Sequence, residues 1–445
     1  MTVEMQGLAR SVLRLAESSR QEVEVYTIKH RSLWVEVTDG KVETLREASQ
    51  TGVGIRVIDH GRLGMAFTTR LDRESLRDAV QLAAANARSS AADEFNRLPD
   101  PKPVEPMELL DSRLAELPVD VKIDFAKEVE NAARRYDPRV TKVRQASFGD
   151  GIYEIGIVNS RGVDVGYRGG YCSTSLLVVA EADGQAETGW SYDFSRTFED
   201  LDPVRVGQEA AARAVEMLGA GSLATCRVPL ILAPEVACEF LEVLGPALTA
   251  EAVQKGKSVF AGKLGEAVAS TELTLIDSGL LPGGLATAPV DDEGVPSQET
   301  VVLEQGLLKT YLYNTYSAAK DGVQSTGNGV RPSFRGALTS GTRNFYVSPG
   351  RLSQTELMAQ VERGLYVTNV MGMHTANPIS GEFSVGAAGL WMENGRPVRP
   401  VRGIAIAGNL IDFLKRLVAV GSDLRFYGSV GSPTLVVEGI TVSGE

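Results

Sequence analysis

Histidine and cysteine are scarce in this chain. Three histidines (His30, His60, His374) and three cysteines (Cys172, Cys226, Cys238) are spread over 445 residues. No CxxC pair occurs, so neither a zinc ribbon nor a disulfide framework is indicated. Such cysteine usage suits a reducing cytosol, the expected location. Most zinc enzymes take two or three ligands from histidine; here three distant segments would have to converge. Long apolar runs are missing as well, and none nears the roughly 18–20 residues of a membrane span. The opening Met1-Thr2-Val3-Glu4 has no basic stretch leading into an apolar one, so no signal peptide is expected. Positive charge is in deficit: 45 Lys and Arg stand against 57 Asp and Glu, a net −12. An acidic surface repels phosphate backbones, which argues against nucleic acid as a general partner.

Several chemical signatures are also lacking. Gly256-Lys257-Ser258 would end a P-loop, but Glu251 stands where its first glycine belongs. Ser325-Thr326-Gly327-Asn328-Gly329 resembles a phosphate cradle without the strand-to-helix setting. No G-x-S-x-G elbow occurs, and no G-x-G-x-x-G follows a predicted strand.

What remains is a well-patterned globular chain. Hydrophobic residues make up 43% and charged residues 23%, and the length allows two or three domains. The spacing of Leu8, Val12 and Leu15 predicts a helix over 6–19. Alternation at 23–27 and 33–37, then runs at 54–58 and 63–68, predicts a meander with turns at Asp39-Gly40 and His60-Gly61. A helix over 72–88 follows. Residues 97–118, with Pro99, Pro101, Pro103 and Pro106, read as a surface linker. A second unit starts with a helix over 119–136. Strands are expected at 140–148, 152–159, 163–167, 172–180 and 187–194, separated by turns at Asp150-Gly151, Ser160-Arg161-Gly162 and Asp183-Gly184. A helix over 204–218 closes it.

After Cys226 the texture becomes Gly-rich and strand-rich. Helices are expected at 234–249 and 354–364, and strands at 301–303, 307–313, 366–370, 390–393, 403–407 and 434–442. Gln305-Gly306 and Asn394-Gly395 mark hairpins. The expected fold class is α+β: N-terminal α+β meander units, then a C-terminal curled, mostly antiparallel β-rich domain with a few helices. The expected divisions are 1–96, a linker at 97–118, 119–222 and 223–445.

Two places could carry chemistry. On the 234–249 helix, Glu235, Cys238, Glu239 and Glu242 share one side. Carboxylates and a thiolate there could hold a cation; a solvated face opposite Phe240, Val243, Leu244 and Ala247 explains them as well. The other is the polar loop from Met371 to Phe383, where His374 could act as acid or base. Its His374, Asn377, Ser380 and Glu382 are the candidate peptide-contact residues.

The C-terminal stretch is then recognisable. Asp291-Asp292-Glu293-Gly294-Val295-Pro296-Ser297-Gln298-Glu299-Thr300, Ser325-Thr326-Gly327-Asn328, Ser380-Gly381-Glu382-Phe383-Ser384, Glu393-Asn394-Gly395, Ile406-Ala407-Gly408-Asn409-Leu410 and the ending Ser432-Pro433-Thr434-Leu435 resemble the family of TldD and PmbA (TldE). The resemblance covers nearly the whole chain. It implies two branches: TldD-like subunits with a metal-binding H-E-x-x-x-H and a downstream cysteine, and PmbA-like subunits without them. This chain is similar to the second. Pro234 and Glu239 stand at the two histidine positions, Glu235 keeps the glutamate, and no cysteine precedes Ser380-Gly381 nearby.

The resemblance therefore implies no catalytic residue, no metal ligand and no cofactor of its own. It implies a PmbA/TldE-like subunit of a peptide-processing metalloprotease that encloses unfolded peptide. Such a subunit would be a homodimer alone, built on the apolar strands of the C-terminal half, and a heterodimer with a TldD-like partner. Two other readings stay open. One is a homodimeric metal-dependent peptidase with an atypical site near His374 and the Glu235/Glu239 helix. The other is a non-catalytic dimeric scaffold.

Overall fold

The computed structural model describes residues 3–16 and 21–444. Its N-terminal half is one twisted antiparallel sheet. The chain runs through helix α1 (Glu4–Ala16), strands β1 (Glu22–Thr38), β2 (Lys41–Asp59) and β3 (Arg62–Thr68), helices α2 (Arg73–Ser89), α3 (Ser112–Glu116) and α4 (Val119–Tyr136), strands β4 (Val140–Asn159), β5 (Asp164–Ala182) and β6 (Gln185–Ser195), and helix α5 (Pro203–Glu216). The strand order is β3-β2-β1-β4-β5-β6. The two expected meanders are thus fused: β1 pairs with β4 from Glu24↔Asn159 to Val37↔Ala146. Residues 17–19 of the expected first helix lie outside the described residues.

One face of this sheet is helical. Buried positions recur three and four apart on α4 (Phe125, Ala126, Val129, Ala132, Ala133) and α5 (Val206, Ala210, Ala211, Ala214), giving each an apolar stripe toward the strands. Gly207 lets the two helices approach closely, since a Cβ there would sit 2.5 Å from the Val129 carbonyl oxygen. The linker is more than a surface crossing: Leu98, Leu109 and Leu114 are buried, and Leu109 bridges to Gly169.

The expected dipeptide turns hold with one exception. Asp39-Gly40, His60-Gly61, Asp183-Gly184, Gln305-Gly306 and Asn394-Gly395 all have positive φ at both residues, as a two-residue hairpin turn of matching twist requires. Asp150-Gly151 does not turn. It lies inside the continuous strand β4, where Asp150 pairs with buried Lys122 at 2.5 Å and the Tyr171 ring lies over Gly151. The same dipeptide serves a salt bridge and a ring contact instead of a reversal. The expected break at 168–171 is likewise absent, because β5 runs through it.

The C-terminal half holds β7 (Cys226–Leu232), α6 (Pro234–Ala247), α7 (Ala250–Gln254), β8 (Leu275–Ser278), β9 (Glu299–Glu304), β10 (Leu307–Leu308), α8 (Thr315–Asp321), β11 (Gly329–Val330), β12 (Thr339–Ser340), β13 (Asn344–Val347) and α9 (Gln354–Ala359). Then come β14 (Arg363–Met371), β15 (Glu382–Glu393), β16 (Arg396–Asn409), α10 (Leu410–Lys415), β17 (Leu417–Val420), β18 (Arg425–Tyr427), β19 (Val430–Ser432) and β20 (Leu435–Ser443). Strands β16-β15-β14-β7-β20 curl until β16 meets β20, closing a barrel. A second sheet runs β10-β9-β8-β13-β19-β18. Pairing is antiparallel except for β14 with β7 and β13 with β19. The strand expected over 307–313 stops at Leu308. Helix α6 packs against both sheets, burying Val236, Phe240, Leu241 and Leu244. No helix among the described residues is long and apolar enough to cross a membrane.

Candidate functional site

Helix α6 starts at Pro234, the first helical position, where a missing N–H costs nothing. Glu235 follows in the first turn, near the positive end of the helix dipole. Its carboxylate is not free. Arg213, from the last turn of α5, reaches across from the N-terminal half and pairs with Glu235 at 2.7 Å. The same guanidinium donates to the Trp190 carbonyl at 2.6 Å and to the Tyr427 hydroxyl at 3.4 Å. Burial raises the Glu235 pKa and Arg213 pulls it part of the way back. The small cleft beside it, about 70 Å³, is lined by Trp190, Arg213, Glu216, Glu235, Asn369 and others, which is too little room for a peptide.

The other residues of the helix diverge. Cys238 is buried, its thiol donates to the Val430 carbonyl at 3.5 Å, and burial pushes its pKa up. It is buried in the core, and exposed Glu242, one turn on, adds to the rise. Glu239 is half-buried between like charges. Burial, then Glu235 and Glu242, push its carboxyl from the usual 4.5 to about 7. An unfolded chain ionises this group near 4.5, whereas the folded chain keeps the proton to about 7. Its stabilising contribution is therefore complete below pH 4.5 and lost as pH rises to about 7. Glu239→Gln should flatten the decline in unfolding midpoint over that window, read by urea titration at several pH values.

The residues do not fit a catalytic zinc. Such a site needs about three fixed ligands with one position open to water. Proline offers no donor, Glu235 is held by Arg213, and Cys238 is turned inward. Among the described residues no group of three or more His, Cys, Asp or Glu side chains is placed to hold a metal.

The loop after β14 is exposed at His374, Asn377, Ser380 and Glu382. His374 lies on a single 3₁₀ turn over 373–375 that packs beside α6, so the structure brings this loop near the degenerate helix. The loop is shaped internally. Asn377 Oδ1 accepts from Ile379 N at 2.9 Å and Ser380 N at 3.2 Å. Asn409 Nδ2 donates to the Ser380 carbonyl at 2.9 Å. Pro378 O accepts from Val259 N at 2.9 Å. Asn377 and Ser380 thus set the backbone together with the Glu382 main chain, whose carbonyl accepts from Asn377 N at 2.8 Å and whose N–H donates to Ser380 Oγ at 3.2 Å; among the described residues the side chains of His374 and Glu382 make no hydrogen bond.

The Asp291–Gln298 segment turns out to join the two halves. Glu24 of β1 pairs with Arg56 of β2 at 2.6 Å and with Arg331 of the C-terminal half. Arg56 also stands 3.6 Å from Glu293. Asp292 accepts from Arg331 N at 2.7 Å, and Glu293 accepts from Thr315 N at 2.7 Å. Asp291 accepts three backbone N–H bonds, from Glu293, Val295 and Gly329. Burial and the neighbouring Glu293 hold its carboxyl well above the usual range. Arg196 works nearby without a carboxylate, donating to carbonyls of Leu109, Gly170, Gly284, Leu285 and Thr287. Neither Arg213 nor these arginines carried a local sequence signal, because their partners lie far along the chain.

Comparison with known proteins follows this anatomy. Models of the PmbA/TldA metallopeptidase domain 1, central domain and C-terminal domain match residues 23–87, 112–218 and 225–444. The chain is 31% identical over 441 residues to the metalloprotease PmbA of Escherichia coli O157:H7, covering 98% of this chain and 95% of that one. A crystal structure of a Thermotoga maritima protein assigned as a modulator of a DNA gyrase superposes with a TM-score of 0.91 at 32% identity, over 98% of this chain and all of that one. TldE of Thermococcus kodakarensis superposes at 0.91 and 26% identity, over 99% and 100%. Matched along its whole length in sequence and in fold, this chain belongs to the PmbA/TldD family.

Proposed function

We propose that this chain is the non-catalytic, PmbA/TldE-like subunit of a peptide-processing metalloprotease, acting in peptide enclosure and assembly. The observation that carries the reading is the Arg213–Glu235 ion pair beside Pro234 and Glu239. A general base beside a metal must be free to take a proton from bound water; this carboxylate is committed to a guanidinium. The relatives bear the name metalloprotease, so the chemistry belongs to a partner that retains the ligands. The exposed loop carrying His374, Asn377, Ser380 and Glu382 suits contact with extended peptide, and the reading places the protein in the cytoplasm. Its partners would be a second copy when alone and a TldD-like metalloprotease when one is present.

Elemental analysis after mild dialysis is expected to find no stoichiometric zinc in the purified chain. Adding the chain to a TldD-like partner should raise peptide cleavage without raising metal content. One tightly held metal per chain, lost on His374→Ala, would overturn this reading in favour of an atypical site. No effect on the partner would favour a scaffold with an unrelated ligand.

A further inference from the structure

Helices cover one face of the N-terminal sheet. The other face is covered at one end, where Ala288, Val290 and Phe334 of the C-terminal half cluster with Tyr26, Ile157 and Tyr167. Beyond that end two rings lie down on glycines of β4. Trp34 Cε3 is 2.6 Å from where a Cβ would stand on Gly149, and Tyr171 Cζ is 2.5 Å from its place on Gly151. A ring standing upright on its own strand would not come so close to the next one, about 4.8 Å away. Trp34 belongs to β1 and Tyr171 to β5, so the rings approach from opposite sides and rest two residues apart along β4. Trp34 is fixed there: its Nε1 donates to Glu36 Oε1 at 2.8 Å, and Gln145 Nε2 donates to the same oxygen at 2.7 Å. Across the sheet, the Tyr192 and Phe194 rings of β6 stand 6.1 Å apart. All four rings are half-buried, so each keeps part of its surface open. Between the two pairs run Ser173 and Ser175 of β5, opposite Phe194 and Tyr192. The result is a trough with aromatic walls and a floor of small residues. Among the described residues the hydroxyls of Tyr171, Ser173 and Tyr192 make no hydrogen bond.

Charge and spacing select what can lie in it. Along the rows through Gly151, Gly149 and Ser147, strand alternation puts Glu36 and Arg46 on this face, one charge of each sign, in a chain that carries −12. Glu36 is taken by Trp34 and Gln145. A single-stranded nucleic acid could stack on the rings, but it needs a row of cations for its phosphates, and Arg46 stands alone. A sugar ring needs free polar side chains beside its platform, and here the carboxylate and the amide are bound to each other. A charge-poor extended peptide matches what is present. Its alternate side chains repeat at about 6.8 Å, the interval between same-face positions of β4 on which the two rings rest. Aromatic side chains of such a peptide would stack on the rings, and its main-chain N–H and C=O groups would meet the free hydroxyls.

We propose that this trough is a peptide-docking site that takes extended, uncharged segments with aromatic side chains at alternate positions. Trp34, Tyr171, Tyr192 and Phe194 make the contacts. Glu36, Gln145, Gly149 and Gly151 are positioning residues: the first two lock the Trp34 ring, and the glycines leave room for the rings to lie flat. A platform fixed before binding loses little freedom when the peptide arrives. The inference rests on the reading of the chain as a peptide-enclosing subunit and names the class of peptide it holds.

The full-length chain tests it with capped octapeptides of alternating tyrosine and serine, carrying a neutral nitrobenzoxadiazole label and read by fluorescence anisotropy. Peptides with lysine or glutamate in place of tyrosine should bind at least about tenfold more weakly, since each charge would leave water for an uncharged trough. A benzoylphenylalanine at the peptide's centre should photolabel the unaltered chain within 171–175 or 192–194, a readout that needs no variant to fold. Trp34→Leu and Tyr171→Leu should each weaken binding about fivefold, whereas Trp34→Phe, which keeps a ring, stays close to the parent. Tyr136→Leu removes an exposed ring on α4, on the helical side, and should change nothing. Circular dichroism checks that the variants fold. Label on the His374 loop instead, or equal binding by the leucine variants, overturns the site and leaves the peptide-subunit reading standing. Tighter binding of cellohexaose or oligothymidylate than of the tyrosine peptide also overturns it. Failure of every peptide to bind overturns the proposal; the reading falls with it only if the chain also leaves a TldD-like partner's cleavage unchanged.

Discussion

Arg331→Met is expected to destabilise the protein by about 3–5 kcal/mol, the usual cost of leaving a buried charge without its partner. Arg331 pairs with Glu24, donates to Asp292 and lies 5.4 Å over the Tyr26 ring. Both side chains of the Arg331–Glu24 pair are almost wholly buried. Without the guanidinium, Glu24 retains Arg56, which must also serve Glu293. The effect should be largest on the docking of the two halves. Limited proteolysis should release fragments near residues 217–225, ahead of the global unfolding seen in denaturant. Adding Glu24→Gln should recover part of the loss, because the stranded charge is then gone. A variant as stable as the parent would show that water reaches this network and screens it.

Gly189→Val is expected to be nearly as damaging, by another route. A Cβ at Gly189 would lie 2.0 Å from the Ala210 carbonyl oxygen and 2.5 Å from Ala214 N, both backbone atoms of α5. Backbone cannot rotate away, so the helix must lift from β6. Overpacking of this kind costs about 1–3 kcal/mol, and more where backbone must move. Helix α5 carries Arg213, so lifting it should also break the Arg213–Glu235 pair. Urea titration reads the first effect. The emission of Trp190, whose carbonyl binds Arg213 and whose ring stacks on Tyr192 at 5.9 Å, reads the second. Gly7→Val, on α1 with open space around it, is the control for a bulkier side chain without a clash.

Much of the local structure was legible beforehand. The helix expected over 119–136 lies at Val119–Tyr136, and the five dipeptide hairpins turn as their residues require. These features depend on neighbours within a few positions. Asp150-Gly151 was misread because its two demands, Lys122 and the Tyr171 ring, come from 28 residues before Asp150 and 20 after Gly151. The Asp291–Gln298 run was recognised as a family signature, yet nothing in it announced its task. Its partners, Glu24, Arg56 and Arg331, sit on separate elements.

The sequence alone determined what this chain lacks. Pro234 and Glu239 cannot supply imidazole, and no fold can change that. It also set the α+β class and the family, because periodicity, turn chemistry and motif order are local properties. Only the tertiary structure decided what became of the surviving glutamate. Arg213 is 22 residues upstream of Glu235 and on another helix, and the pair forms because α5 and α6 are packed against separate sheets that meet at this point. The seat of Trp34 and Tyr171 on Gly149 and Gly151 is a tertiary fact too: the rings and the glycines come from three strands, and no property of β4 itself reveals it.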